Sequence, residues 1–132
     1  MGQSKTVSGV EMASGYAEHP NHKLSVGPAS GRYLVKAGEQ LIVETSAALA
    51  LHEASYPVAL YFARADADMA LLTRTTHTTW CPFKGRAAYY SIGDDPALEN
   101  AVWSYEDPFE EVGEIKDYLG FYTNKVTVTK AG

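Results

Sequence analysis

The sequence predicts a mainly β fold: short, coiled antiparallel sheets of about eight strands with one short C-terminal helix. Three observations predict it. Apolar and aromatic residues alternate with others over short runs, as at Val58, Leu60 and Phe62 against Ala59, Tyr61 and Ala63, which is the period of a strand. Glycine, proline and aspartate separate those runs at residues 27–31, 37–39 and 93–96, where turns need them. Only the segment from Asp107 carries helix-start chemistry. In 132 residues such sheets must curl or fold over each other to bury both halves of a core.

Residues 1–18 are polar and glycine-containing and read as a flexible N-terminal arm, leaving 19–132 as a single domain. His19-Pro20-Asn21-His22 is an anchored turn. Leu24-Ser25-Val26 starts a strand. The runs 32–36 and 40–44 flank Ala37-Gly38-Glu39 and form a hairpin. Residues 46–56 are alanine-rich, but Leu49 and Leu51 alternate between strong strand candidates, so strand or irregular structure is expected there. Residues 64–68 make a charged turn. After Gly85 a strand runs over 87–92, and 99–106 alternates Ala101, Trp103 and Tyr105 against Val102 and Ser104 as another. Asp107-Pro108-Phe109-Glu110 supplies Asp at N-cap, Pro at N1 and Glu at N3. Val112, Ile115 and Leu119 then keep one face apolar, with Gly120 as the stop. Residues 125–129 close the chain as a strand with Val126 and Val128 inward.

Composition narrows the function. A formal net charge of −5 argues against a nucleic-acid backbone as partner, since phosphate-backbone binding needs a basic footprint. It leaves room for a small anion met by a few local bases. One cysteine excludes an internal disulfide framework and any four-cysteine zinc site, and fits a reducing cytoplasm. Residues 1–20 have no apolar core of a secretory leader, and no apolar run is long enough to span a membrane. A cytoplasmic protein without membrane or nucleic-acid partners is expected.

The densest chemistry lies at residues 75–86, Thr-Thr-His-Thr-Thr-Trp-Cys-Pro-Phe-Lys-Gly-Arg. Pro82 and Gly85 bracket Phe83-Lys84 as a tight turn, because proline fixes φ and glycine permits positive φ. Cys81 is a candidate nucleophile, with Lys84 and Arg86 favouring its thiolate and His77, or His52 with Glu53, as base and orienting acid. The bland alternative is a buried small hydrophobe beside a proline. Lys84 with Arg64 or Arg86 is a candidate anion clamp. Trp80, Tyr89 and Trp103 are candidate pocket walls. His77, Cys81, His52 and Glu53 have metal-binding chemistry, but His-x3-Cys outside a helix is a weak signature, and no metal is assigned.

Laid out in full, the chain resembles a small family, domain-of-unknown-function family 427, which carries a nucleotidyltransferase-type label. The residues that carry the likeness are His19-Pro20-Asn21-His22, Gly31-Arg32, Leu51-His52-Glu53-Ala54, Tyr56-Pro57-Val58, Tyr61 with Arg64 and Asp66, residues 78–85, Ala88-Tyr89-Tyr90, residues 101–105, Pro108, Ile115, Tyr118-Leu119 and Phe121-Tyr122. Of these, Cys81-Pro82-Phe83-Lys84-Gly85 is the sharpest. The resemblance implies a bacterial source and a β-tent architecture, similar in outline to methionine sulfoxide reductase B and its zinc-binding relatives. Those relatives hold zinc through paired Cys-x-x-Cys motifs, which this chain lacks, so the metal is not carried over. Nor is the transferase activity, because no Gly-Ser pair followed by Asp-x-Asp stands in a helix–strand setting.

The leading expectation is a small-molecule site with an anion-binding pocket at residues 76–86, serving either a Cys81/His77/Lys84 enzyme on a small anionic or phosphate-bearing substrate or a binding module that turns nothing over. No reaction and no cofactor is assignable. A homo-oligomer with tyrosine-rich strands at its interface is the rival reading.

Overall fold

The computed structural model describes residues 15, 16, 19 and 21–132. The expected arm, residues 1–18, lies outside them except for Gly15 and Tyr16. Within the described residues ten strands form three antiparallel sheets. They are β1 Leu24–Pro28, β2 Tyr33–Ala37, β3 Gln40–Thr45, β4 Leu49–Glu53, β5 Ala59–Tyr61, β6 Leu72–Cys81, β7 Gly85–Ile92, β8 Val102–Tyr105, β9 Leu119–Phe121 and β10 Thr127–Lys130. The sheet orders are β1-β4-β5, β10-β2-β3 and β6-β7-β8-β9.

The four-stranded sheet is covered on both faces. Tyr90, Ile92, Val102, Leu119 and Phe121 point to one side and pack with Val35, Ile42 and Val43 of the β10-β2-β3 sheet. Ala87, Tyr89 and Tyr105 point to the other and pack with Leu51 and Tyr61 of the β1-β4-β5 sheet. Double coverage is why residues 87–90 are buried without a break, where a half-solvated strand would alternate. Phe62, directly after β5, belongs to the first core and Tyr61 to the second. Phe62 also exchanges backbone hydrogen bonds with Leu119, locking β5 to β9.

Turn chemistry works as the sequence predicts. Gly38, at φ +60°, opens the two-residue loop between Ala37 and Gln40, where the first central residue of a type II′ hairpin must have positive φ. Pro82, Phe83 and Lys84 join β6 to β7, with Cys81 opposite Gly85. In β6 the register shifts between Arg74 and Thr78, so Thr75, Thr76 and His77 stand against Tyr89 alone.

The expected helix from Asp107 to Leu119 is not formed. Its place is taken by a 3₁₀ stretch, Glu110–Ile115, broken at Val112 (φ −126°, ψ 30°). Val112 and Ile115 are fully buried as expected, but Leu119 and Gly120 belong to a strand. The reason is tertiary. Leu119 pairs with Ser104 and bridges Phe62, and the chain must turn through Asp117 at φ +65° to reach that edge. A weak helix former at Gly113 offers little resistance. Phe109, not Asp107, flanks the stretch, and no side chain caps it. Asp107→Ala is therefore expected to cost under about 0.5 kcal/mol, whereas a working N-cap would cost about 1 kcal/mol. Urea midpoints of the two proteins decide between them. Among the described residues no helix is long and apolar enough to cross a membrane.

Candidate functional site

The β6–β7 hairpin presents two different chemistries on its two faces. Successive residues of a strand point to opposite sides, so Trp80 and Cys81 part company although they are neighbours in sequence.

On the Cys81 face, the turn places Lys84 Nζ 3.9 Å from Cys81 Sγ and donates from the same ammonium to Glu53 Oε1 at 2.6 Å. His22 Nε2 donates to Glu53 Oε2 at 2.8 Å. The Lys84 and Glu53 side chains are each 13% exposed, so this pair is well shielded from water. Burial alone would raise the Glu53 carboxyl, but hydrogen bonds from Lys84 and His22 outweigh it and hold it below the usual carboxylate range. The turn tip is clamped as well. His22 stacks on Phe83 at 3.8 Å between ring centres, Tyr16 meets Phe83 edge-on at 5.2 Å, and Tyr16 Oη donates to the Phe83 carbonyl at 2.6 Å. Gly15 N donates to the Pro82 carbonyl at 2.7 Å. Behind the sulfur, Tyr61 and Tyr105 are buried. Burial pushes the Tyr61 hydroxyl up to about 12 and raises that of Tyr105 further.

On the opposite face, a cleft of about 560 Å³ lies between the hairpin and the 107–110 segment. Trp80 and Phe109 meet edge to face across it at 5.7 Å, and Arg74, Arg86 and Glu106 line it. At one end Glu106 accepts from Arg74 Nη1 at 2.7 Å, from Arg64 Nη2 at 3.0 Å and from Tyr90 Oη at 2.8 Å. Two guanidinium groups share one carboxylate there. Burial would raise Glu106, but bonds from Arg74, Tyr90 and Arg64 carry it down to about 2. Arg64 also donates to Ser104 Oγ and the Asp117 carbonyl.

The Glu106 cluster gives a pH signature with a definite sign. Its folded pKa is depressed, so its contribution is complete above about pH 4.5 and is lost as pH falls toward about 2. Because water reaches the cluster, about 1–2 kcal/mol is expected to disappear over that window rather than the full linkage value. Comparing urea unfolding of the native chain and Glu106→Gln at pH 7 and pH 3 tests this: the gap between them should narrow at the lower pH.

The expected site residues thus fall into separate groups. Cys81, Lys84 and Glu53 come together; Trp80 and Arg86 meet in the opposite cleft. The members of the expected clamp are parted by the fold: the Lys84 ammonium is on Glu53, Arg64 is on Glu106, and Arg86 lines the opposite cleft. His77 packs edge-on against Tyr89 at 4.6 Å, and Tyr89 Oη bonds Thr79 and Tyr122. His52 is exposed on β4, and strand alternation turns it away from Glu53. Trp103 donates to Tyr61 Oη at 3.2 Å in a further aromatic cluster. Among the described residues no His, Cys, Asp and Glu group could hold a metal ion.

Sequence reading missed His22, Arg74 and Phe109. Arg74 was within reach: it is three twos back from Trp80, and a bulge adding two residues leaves that parity intact. Phe109 is brought in by tertiary folding, through its backbone N–H on the Lys84 carbonyl at 3.1 Å, and no local signal marks it.

Fold and site together define a small mainly β domain with a guanidinium-lined aromatic cleft on one face of a hairpin and a shielded Cys–Lys–Glu–His array on the other. Residues 25–132 match the family described as Domain of unknown function (DUF427), and the chain belongs to that family. Among curated proteins none matches it.

Proposed function

We propose that this domain is a small-molecule-binding module whose ligand is a planar anion held in the cleft beside residues 76–86. The observation that carries this reading is the cleft itself, of about 560 Å³, with Trp80 and Phe109 as its aromatic wall and Arg74 and Arg86 alongside. That volume and mixture suit a ligand site. Guanidinium groups recognise phosphate and carboxylate by paired hydrogen bonds, and the ring pair supplies a face for a flat group. Cys81 does not line the cleft, which favours binding over thiol chemistry on the same ligand. Three small antiparallel sheets packed into two cores support the β-tent reading of the architecture, and the single free cysteine supports a cytoplasmic one.

Calorimetry with phenyl phosphate, inorganic phosphate and phenol tests the proposal. Phenyl phosphate should bind best; Arg74→Ala with Arg86→Ala should weaken it about tenfold or more, equivalent to about 1.4 kcal/mol. Cys81→Ser should bind as the native chain does. Phenyl phosphate binding that is undetectable, or that survives loss of both arginines, overturns the reading.

The Lys84–Cys81 approach at 3.9 Å favours a second reading, a nucleophilic Cys81 steadied by Lys84. Its ammonium is shared with a carboxylate at the shorter 2.6 Å. In this reading iodoacetamide labels Cys81 at neutral pH faster than an ordinary thiol of pKa about 8.5, and Lys84→Met slows the labelling. Labelling at the ordinary rate, unchanged by the substitution, rejects it.

A further inference from the structure

A second cleft, of about 520 Å³, lies where the edge strands of all three sheets converge: β5, β9 and β10. Leu60, Phe62, Trp103, Phe121, Tyr122 and Val128 line most of it, and Lys130 is its one ionisable side chain other than tyrosine. Its walls are fixed in advance. The Trp103 indole lies against Gly120 so closely that a Cβ there would sit 2.4 Å from Cε2. Trp103 Nε1 is bonded to Tyr61, and Tyr122 packs on the indole at 4.7 Å. Phe62 and Phe121 meet edge to face at 5.9 Å. At the mouth, Val58 and Tyr122 are 50% and 38% exposed, and leaving such groups in water is unfavourable.

Lys130, exposed near the end of β10, stands at the rim. Its stem runs over Gly31, which has φ +103° and where a Cβ would lie 2.5 Å from Lys130 Cε. Among the described residues no ion pair engages its ammonium. A large, rigid, apolar hollow with one cation at its rim complements a molecule with an apolar body and one negative end.

We infer that this cleft binds an apolar monocarboxylate, its tail against Trp103 and Phe62 and its carboxylate at Lys130. The site is separate from the arginine-lined cleft and does not depend on it. Octanoate and octanol are the probes, read by the indole N–H signals of the two tryptophans in ¹H–¹⁵N spectra, assigned with Trp80→Phe. Octanoate should shift the Trp103 signal saturably. Lys130→Ala, at an exposed position, should weaken octanoate about tenfold and leave octanol unchanged, with Lys130→Glu weakening octanoate further. A Trp103 signal that does not respond to octanoate overturns the inference. Octanol binding as tightly as octanoate, or octanoate binding indifferent to Lys130, overturns the carboxylate assignment.

Discussion

Gly120→Ala is expected to destabilise this protein by about 3 kcal/mol or more, at the upper end of what overpacking costs. A methyl group at this position would stand 2.4 Å from Trp103 Cε2, 2.5 Å from Cζ2 and 2.9 Å from Nε1. None of these is the far end of a flexible chain. The indole is bonded to Tyr61, packed on Tyr122 and opposite Gly120 across β8 and β9, so it cannot swing away without breaking its contacts with both neighbours. The result separates two pictures of the segment. A glycine that merely stopped a helix would tolerate alanine at a cost of about 1 kcal/mol. Urea unfolding measures the difference, and Trp103→Leu in the alanine background should recover part of the loss, since a smaller side chain relieves the clash. A cost near 1 kcal/mol with no such coupling would mean that the indole does not rest on this glycine.

Glu53→Gln is the second large effect. The substitution leaves Lys84, 13% exposed, without its counter-charge and weakens the hold on His22, which in turn stacks on the turn tip. Removing one partner of a shielded pair costs about 3–5 kcal/mol when burial is complete; with some water access here, about 2–3 kcal/mol is expected. Lys84→Met in the same chain should restore much of it, because the stranded charge is then gone. The pH dependence has the same sign as at Glu106. The Glu53 carboxyl is depressed on folding, so its contribution is present above the unfolded carboxylate pKa of about 4.3 and fades as pH falls. The native chain and Glu53→Gln should therefore converge in acid. Equal stability at pH 7 would show that Lys84 and Glu53 are not paired in solution.

Much of the fold was legible because its signals are local. The alternation at residues 58–62 and 101–105 and the Gly38 turn required only the sidedness of a strand and the freedom of one glycine. The bend of Cys81-Pro82-Phe83-Lys84-Gly85 was readable on the same terms. The helix expectation at 107–119 failed for a different reason. Asp107, Pro108 and Glu110 are sound capping chemistry, yet the edge of β8 and the backbone of Phe62 offer Leu119 a ladder that a helix would forgo. Tertiary pairing overrode propensity.

The candidate site was half legible. Grouping Cys81 with Lys84 followed from the turn. Adding Trp80 and Arg86 to the same hollow did not, because adjacent strand residues face opposite ways once both faces of the sheet are covered. Glu53, His22 and Phe109 reach the hairpin from distant parts of the chain, and nothing in their local sequence encodes the distance.

What the sequence alone determined is where most strands run, with β6 and β9 as the exceptions, where the chain turns at Gly38 and Pro82–Gly85, and that residues 75–86 concentrate reactive groups, since these depend on periodicity and on the φ preferences of proline and glycine. What the tertiary structure alone decided is which side chains share a space: Lys84 with Glu53 and His22, Trp80 with Phe109 and the arginines, Trp103 with Gly120. Such partnerships are fixed by how three sheets pack, and packing is settled by burying the whole apolar surface at once rather than by any one stretch of chain.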